Sequence, residues 1–173
     1  MLTVGHSTRP IGEFIALLKA HGVNGVADVR TIPKSRHNPQ FNGAELAKSL
    51  RKAGIEYFPM PALGGLRHAR KDSINTAWRN ASFRGFADYM QTEEFATGLA
   101  ALRKLERGRT VAIMCAEAVP WRCHRSLIAD ALWAQGVAVS HIMSATKASP
   151  HALTPFARVQ GVRVIYPAER AAG

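Results

Sequence analysis

Apolar, strand-like runs alternate with helical patterns along the 173 residues. They predict an α/β fold: a single domain with a mostly parallel, Rossmann-like three-layer sheet and helices on both faces. Three observations point the same way. Val111 to Cys115 is apolar without alternation, as expected of a parallel strand covered on both sides. Gly22, Gly54 and Gly136 each close a helical stripe, as C-terminal glycines do. The length suffices for one hydrophobic core and falls short of two comfortable ones, so residues 1–173 are read as one domain.

In chain order, Leu2 to Val4 reads as a strand ended by Gly5-His6-Ser7-Thr8. Ser7 or Thr8 is expected to cap the helix that follows, in which Phe14, Ile15, Leu17 and Leu18 form the buried stripe. A second strand, 23–29, delivers Asp28 and Arg30 at its end, and a basic loop (34–39) with two nearby prolines breaks the pattern. Asn42 is the expected cap of a helix that buries Leu46 and Leu50. A third strand spans 55–60, where Pro59 favours an edge position. Gly64 and Gly65 turn the chain into a second basic loop, 67–71. From Ser73 to about Leu105 the pattern is mostly helical. The strand 111–115 and a helix from Ser126 to Gln135 follow. Two further strands, 137–143 and 162–166, complete the sheet, with a short helix after Thr154 between them. The last few residues are expected to fray. There is no internal repeat, low-complexity tract or linker.

No apolar run is long enough to cross a bilayer, and Arg9 and Pro10 interrupt the N-terminus before a signal-peptide core forms. A cytoplasmic location is therefore expected, with no membrane partner and with the two cysteines as reduced thiols. The oligomeric state is left open. The formal charge of +11 and a pI near 10.5 suit an anionic partner, either a phosphate-containing or other anionic small molecule or a nucleic acid. They suit an Arg-rich solvated surface equally well.

Placement is more informative than total charge. In a parallel α/β sheet, ligands bind outside the carboxyl ends of the strands. Those ends here carry His6 and Ser7, then Asp28 and Arg30, then Gly64 and Gly65, then Cys115 and Glu117. His6 is a candidate base or anion ligand, against an ordinary turn histidine. Asp28 is expected to orient His6 or a loop, or equally to accept structural hydrogen bonds from backbone amides. It and Arg30 are expected to face opposite ways if the strand continues, and so need not pair. Cys115 ends a buried strand, where a small core residue is the plain alternative. Cys123 stands just before a helix, where the unpaired N–H groups favour a thiolate, with His124, Arg122 and Arg125 adding to the effect. Glu117 is a candidate proton carrier or an Arg partner. Cys115, Cys123, His124, His6 and Glu117 are thus the candidate catalytic set. Ser7, Asp28, Arg30, Gly64, Gly65, Arg122 and Arg125 are the candidate ligand-binding set.

Arg30, Arg67, Arg122 and Arg125 near one helix N-terminus suit an oxyanion or phosphate cradle. In the nucleic-acid version the basic loops 30–37 and 67–71 grip phosphates, Trp121, Trp78, Phe83 and Tyr89 stack bases and no catalysis occurs, although two of these aromatics are more simply explained as core. Cys115, Cys123, His124 and His6 are atom types that zinc takes, but neither Cys-x-x-Cys nor His-x-x-x-His spacing occurs, so no metal is expected. Fingerprints of dinucleotide, phosphate-loop and serine-nucleophile sites are missing, and no cofactor is expected.

Several motifs in order resemble a known family: Gly5-His-Ser7, Asp28-Val-Arg30, Pro39-Gln-Phe-Asn42, Leu63-Gly-Gly65, Gly85-Phe-Ala-Asp-Tyr-Met90, and Met114-Cys-Ala-Glu117 followed by Cys123-His-Arg125. They are similar to the family catalogued as domain of unknown function 488, and the likeness extends through His141-Ile142 and Thr154-Pro155. It implies a single α/β domain in a small bacterial protein and carries no established activity. Asp28-Val-Arg30 and the strand–Cys-loop–Arg–helix unit are also similar in layout to rhodanese-like and Cys-phosphatase domains. There an Arg follows the Cys after five residues. Here that position is Trp121, so the short anion-binding loop is not reproduced, and layout alone transfers no function.

Overall fold

A computed structural model describes residues 1–168; the expected fraying of the last few residues lies largely outside that range. The main sheet contains β1 (Leu2–Gly5), β2 (Gly25–Asp28), β3 (Glu56–Pro59), β4 (Val111–Cys115), β5 (Ser140–Ser144) and β6 (Lys147–Pro150). Their order is β3-β2-β4-β1-β5-β6. The first five strands are parallel, and only β6 runs antiparallel, against β5. The mostly parallel sheet read from the sequence is present, with β3 at the edge that Pro59 favours.

Helices cover both faces. Phe14 and Leu18 of α1 (Ile11–Ala20) and Leu46 and Leu50 of α2 (Gly43–Lys52) pack with Val4, Val26, Ala112 and Met114. On the other face α3 (Ala81–Tyr89), α4 (Glu93–Leu105) and α5 (Arg125–Ala134) bring Phe86, Leu99, Leu102 and Leu127 against Ala27, Val111 and Ile113. Successive β4 residues thus enter opposite cores, which is why the strand shows no polar alternation.

Several boundaries differ from expectation. Residues 73–80 are not helical, because Ser73 and Asn75 donate side-chain hydrogen bonds to Asp88 instead. Asn80 then caps α3 and Thr92 caps α4 through their side-chain oxygens, dividing the helical stretch. Neither Ser7 nor Thr8 caps α1; Pro10 holds that position. Asn42 precedes α2 but accepts from Ser35 N rather than from the helix. Thr154 starts no helix; its amide and hydroxyl both donate to Asp130. The strand expected at 162–166 is β8 (Arg163–Ile165), and it pairs with β7 (Arg158–Gln160) in a separate hairpin outside the main sheet. Among the described residues, no helix is long and apolar enough to cross a membrane.

Candidate thiol site

Because β1, β2, β3 and β4 are parallel, their carboxyl ends open on one edge. The ladder between β1 and β4 continues past the strands, His6 N donating to Cys115 O and Ser7 N to Ala116 O, both at 2.9 Å. Ser7 sits at φ 50°, the left-handed region that a non-glycine residue rarely adopts, and its carbonyl there accepts from His6 Nδ1 at 2.7 Å. Above this edge lies a cleft of about 700 Å³. His6, Ser7, Arg30, Gly65, Cys115, Glu117, Arg122, Cys123 and His124 line it. Asp28, Gly64 and Arg125 do not reach it and are buried beneath its walls. Lys34, Asn38 and Phe83 also line it; Asn38 has no role in the sequence reading, and Phe83 enters that reading only as a base-stacking aromatic. Lys34 lies in the basic loop 30–37, which the nucleic-acid reading assigns to phosphate contacts.

Asp28 and Arg30 do pair, contrary to expectation. Side chains alternate with period two in an extended segment, so positions 28 and 30 share a face. Arg30 Nε donates to Oδ1 at 2.8 Å and its NH2 to Oδ2 at 2.6 Å. Tyr57 donates to Oδ2 at 2.7 Å, and Arg30 NH2 also reaches Phe41 O at 2.8 Å. Burial opposes the charge on Arg30, but the Asp28 bonds more than offset it and its pKa is raised. Asp28 therefore orients Arg30 rather than His6.

His6 stacks on Phe41 with ring centroids 4.0 Å apart. Burial lowers its pKa to about 4. Since the Ser7 carbonyl can only accept, Nδ1 carries the proton and Nε2 is bare, with Arg30 NH1 3.4 Å away. His6 is thus an uncharged acceptor at neutral pH, not an anion-binding cation.

The loop from β4 to α5 folds back on itself. Cys115, Cys123 and His124 present two sulfurs and a ring nitrogen that all lie within 4.8 Å of one another. Both cysteines are free. His124 Nε2 lies 3.0 Å from the Val29 carbonyl, which can only accept, so Nδ1 is left facing Cys123 Sγ at 3.6 Å. Gly65 permits this position: a Cβ there would stand 2.6 Å from His124 Nδ1. Arg125 is 1% exposed. Its Nε donates to Cys123 Sγ at 3.4 Å, its NH1 to Thr3 Oγ1 at 3.2 Å and its NH2 to the Glu117 carbonyl. Expected as part of a surface cradle, Arg125 instead points inward and fastens the loop. The Glu117 side chain is exposed and accepts from Val119 N at 3.1 Å.

The two thiols are opposite in character. Cys123 is pulled well below the ordinary thiol range, first by a hydrogen bond from Cys115, then by His124 and Arg125, against the opposing effect of burial. Cys115 is pushed up by the same hydrogen bond and by burial. The shared hydrogen bond favours the thiolate on Cys123 and the proton on Cys115. Two sulfurs and an imidazole nitrogen form a donor set of a kind that zinc takes, and a ring N–H held by a carbonyl is common behind such ligands. The sequence spacing hid this cluster. The guanidinium already at Cys123 Sγ is the reason for reading it as a thiol site.

Behind Arg125 runs a chain that sequence reasoning missed. Thr3 Oγ1 is 2.7 Å from His141 Nδ1, His141 Nε2 is 2.9 Å from His151 Nδ1, and His151 Nε2 is 2.8 Å from Asp130 Oδ1. With both imidazoles uncharged, one proton arrangement satisfies every link: each group donates toward Asp130, starting from Arg125. Burial lowers the His141 pKa to about 4, in keeping with this order. No local spacing announces the chain, since Thr3 and Arg125 are 122 positions apart.

The second basic loop lies outside the cleft. Arg67 stacks over Tyr89 at 3.5 Å and donates to Gly64 O, while Arg70 pairs with Asp72 at 2.9 Å. Trp78 stacks on Phe83 at 4.7 Å and meets Tyr166 edge-on.

A family model described as "Domain of unknown function DUF488" matches residues 10–132. No curated protein and no solved structure matches.

Proposed function

The chain belongs to the DUF488 family, whose model spans the site from Asp28 to Arg125, and we propose that its activity rests on a Cys123 thiolate acting on an anionic ligand in the cleft. One observation carries this reading. Arg125 is buried and, among the described residues, forms no ion pair with a carboxylate. A guanidinium keeps its charge in a protein, and a buried charge without a counterion costs several kcal/mol. Its partners are a hydroxyl, a backbone carbonyl and Cys123 Sγ, and of these only the sulfur can become an anion.

Arg122 and Lys34 supply positive charge on the cleft wall that pairs with no carboxylate among the described residues, and Arg30 is held there by Asp28. A compact anion such as a phosphoryl or carboxylate group suits this lining. The nucleic-acid reading is less favoured because Arg67 and Arg70 are engaged with their own neighbours.

The test is alkylation of Cys123 by iodoacetamide at neutral pH, with and without inorganic phosphate. Phosphate slows labelling of the wild type and loses that effect in Arg122→Ala and Lys34→Ala. Equal labelling with and without phosphate refutes the anion reading. Steeply salt-dependent retention of duplex DNA, lost in the same variants, replaces it with the nucleic-acid reading.

A further inference from the structure

We propose that Cys115 and Cys123 act as a dithiol that reduces a disulfide-bearing anionic substrate, Cys123 attacking and Cys115 resolving. The inference rests on the thiolate reading above and adds the reaction and the substrate class.

The geometry separates the two roles. Both sulfurs belong to one cluster no more than 4.8 Å across, so exchange between them needs little movement. They stand on different supports, Cys115 at the end of β4 and Cys123 in the turn before α5. Arg125 joins these supports through the Glu117 carbonyl and Cys123 Sγ. Both sulfurs line the cleft; Cys123 is met by His124 and Arg125, whereas Cys115 is the more exposed of the two. Exchange needs one thiolate to attack and a neighbouring thiol to resolve the mixed disulfide.

In the first step Cys123 S⁻ attacks one sulfur of R–S–S–R′. A Cys123–S–S–R bond forms, the substrate S–S bond breaks, and R′–S⁻ leaves with the electron pair and takes a proton from solvent. In the second step the Cys115 sulfur attacks Cys123 Sγ and the bond to R breaks. R–S⁻ leaves and takes the Cys115 proton. Two electrons pass from the cysteines to the substrate, giving R–SH, R′–SH and a Cys115–Cys123 disulfide. A low-molecular-weight thiol resets the pair by the reverse exchange. Oxidation removes the anion beside buried Arg125, so the reduced pair is favoured: excess substrate disulfide drives the step that oxidises it, and the low-molecular-weight thiol readily resets it.

Oxidised glutathione, a disulfide bearing carboxylates, is the probe. Wild type passes through a glutathionyl adduct on Cys123 to an internal disulfide, releasing two glutathiones per chain, as followed by peptide-resolved mass spectrometry. Cys115→Ser stalls at the adduct. In a glutathione redox buffer, Arg125→Met shifts the balance toward the internal disulfide by at least about tenfold, the effect of one pKa unit on one sulfur. If Cys115→Ser does not fold, the wild-type time course decides alone. A wild-type adduct on Cys123 that never resolves overturns the dithiol and leaves the thiolate reading intact. First attack at Cys115 overturns the assigned roles. No reaction, with Cys123 titrating as an ordinary thiol, overturns both.

Discussion

Arg125 Nε stands 3.4 Å from Cys123 Sγ, and among the described residues that sulfur is the only contact of the guanidinium that can hold negative charge. Replacing Arg125 by Met keeps most of the volume and removes the cation. The thiolate fraction falls about tenfold for each unit by which the pKa exceeds the pH, so the midpoint of Cys123 alkylation against pH is expected to move up by about one unit or more, slowing labelling by about tenfold below the original midpoint. Thr3 Oγ1 and the Glu117 carbonyl lose a donor, at a cost of about 1–3 kcal/mol each where no other partner replaces it. An unchanged midpoint in a folded Arg125→Met protein separates Arg125 from the thiolate.

Thr3 is expected to act as a positioning residue through Arg125. Thr3→Val keeps the shape, removes the acceptor of Arg125 NH1 and breaks the chain to His141. Labelling of Cys123 is expected to slow severalfold, and Thr3→Ser to restore it. Tyr166→Phe removes one bond to Asp130 outside the chain and serves as the control. It lowers stability by about 1–3 kcal/mol and leaves labelling unchanged.

His6 and His141 give the fold an acid limit. Each has a pKa near 4 when folded and near 6.5 when unfolded. Below pH 6.5 the unfolded chain therefore binds more protons, and stability falls as pH falls. The loss is complete near pH 4 and amounts to roughly 3 kcal/mol for each residue, at 1.36 kcal/mol per unit. Urea midpoints between pH 7 and 4 measure it. His141→Gln is expected to flatten the slope by about half, and an equally steep slope in that variant rejects His141 as a source.

Gly65→Ala places a methyl group 2.6 Å from His124 Nδ1. The ring must move, so Cys123 labelling slows and stability drops by about 1–3 kcal/mol, as overpacking does. Gly12→Ala is the contrast. Its Cβ meets nothing within 4 Å at an exposed position of α1, and it is expected to gain up to about 1 kcal/mol in helix propensity. Thermal melts with thiol labelling separate the two.

The sheet and the edge on which the candidate cleft lies were legible because two-sided burial writes itself into β4 as an unbroken apolar run. Parallel pairing then collects the polar strand ends at one edge, which placed nine of the twelve candidate residues on the cleft. Direction was not legible. Arg122 and Arg125 look alike near a helix start, but Arg125 turns inward because Thr3, distant in sequence, accepts from it. Asp28 and Arg30 were misjudged although their period-two spacing already put them on one face. The Cys115, Cys123 and His124 cluster follows no ligand spacing, because a folded-back loop rather than a helix or hairpin brings its members together. His141, His151 and Asp130 come from β5, the loop after β6 and α5, so only tertiary structure assembles them.

The most direct measurement is thiolate ultraviolet absorbance against pH for wild type and Cys123→Ser, since it does not depend on access to the buried sulfur. The difference between the two curves is expected to have its midpoint well below the ordinary thiol value of about 8.5, with Cys123 ionised at neutral pH. A midpoint at or above about 8.5 leaves buried Arg125 without its anion and contradicts the account.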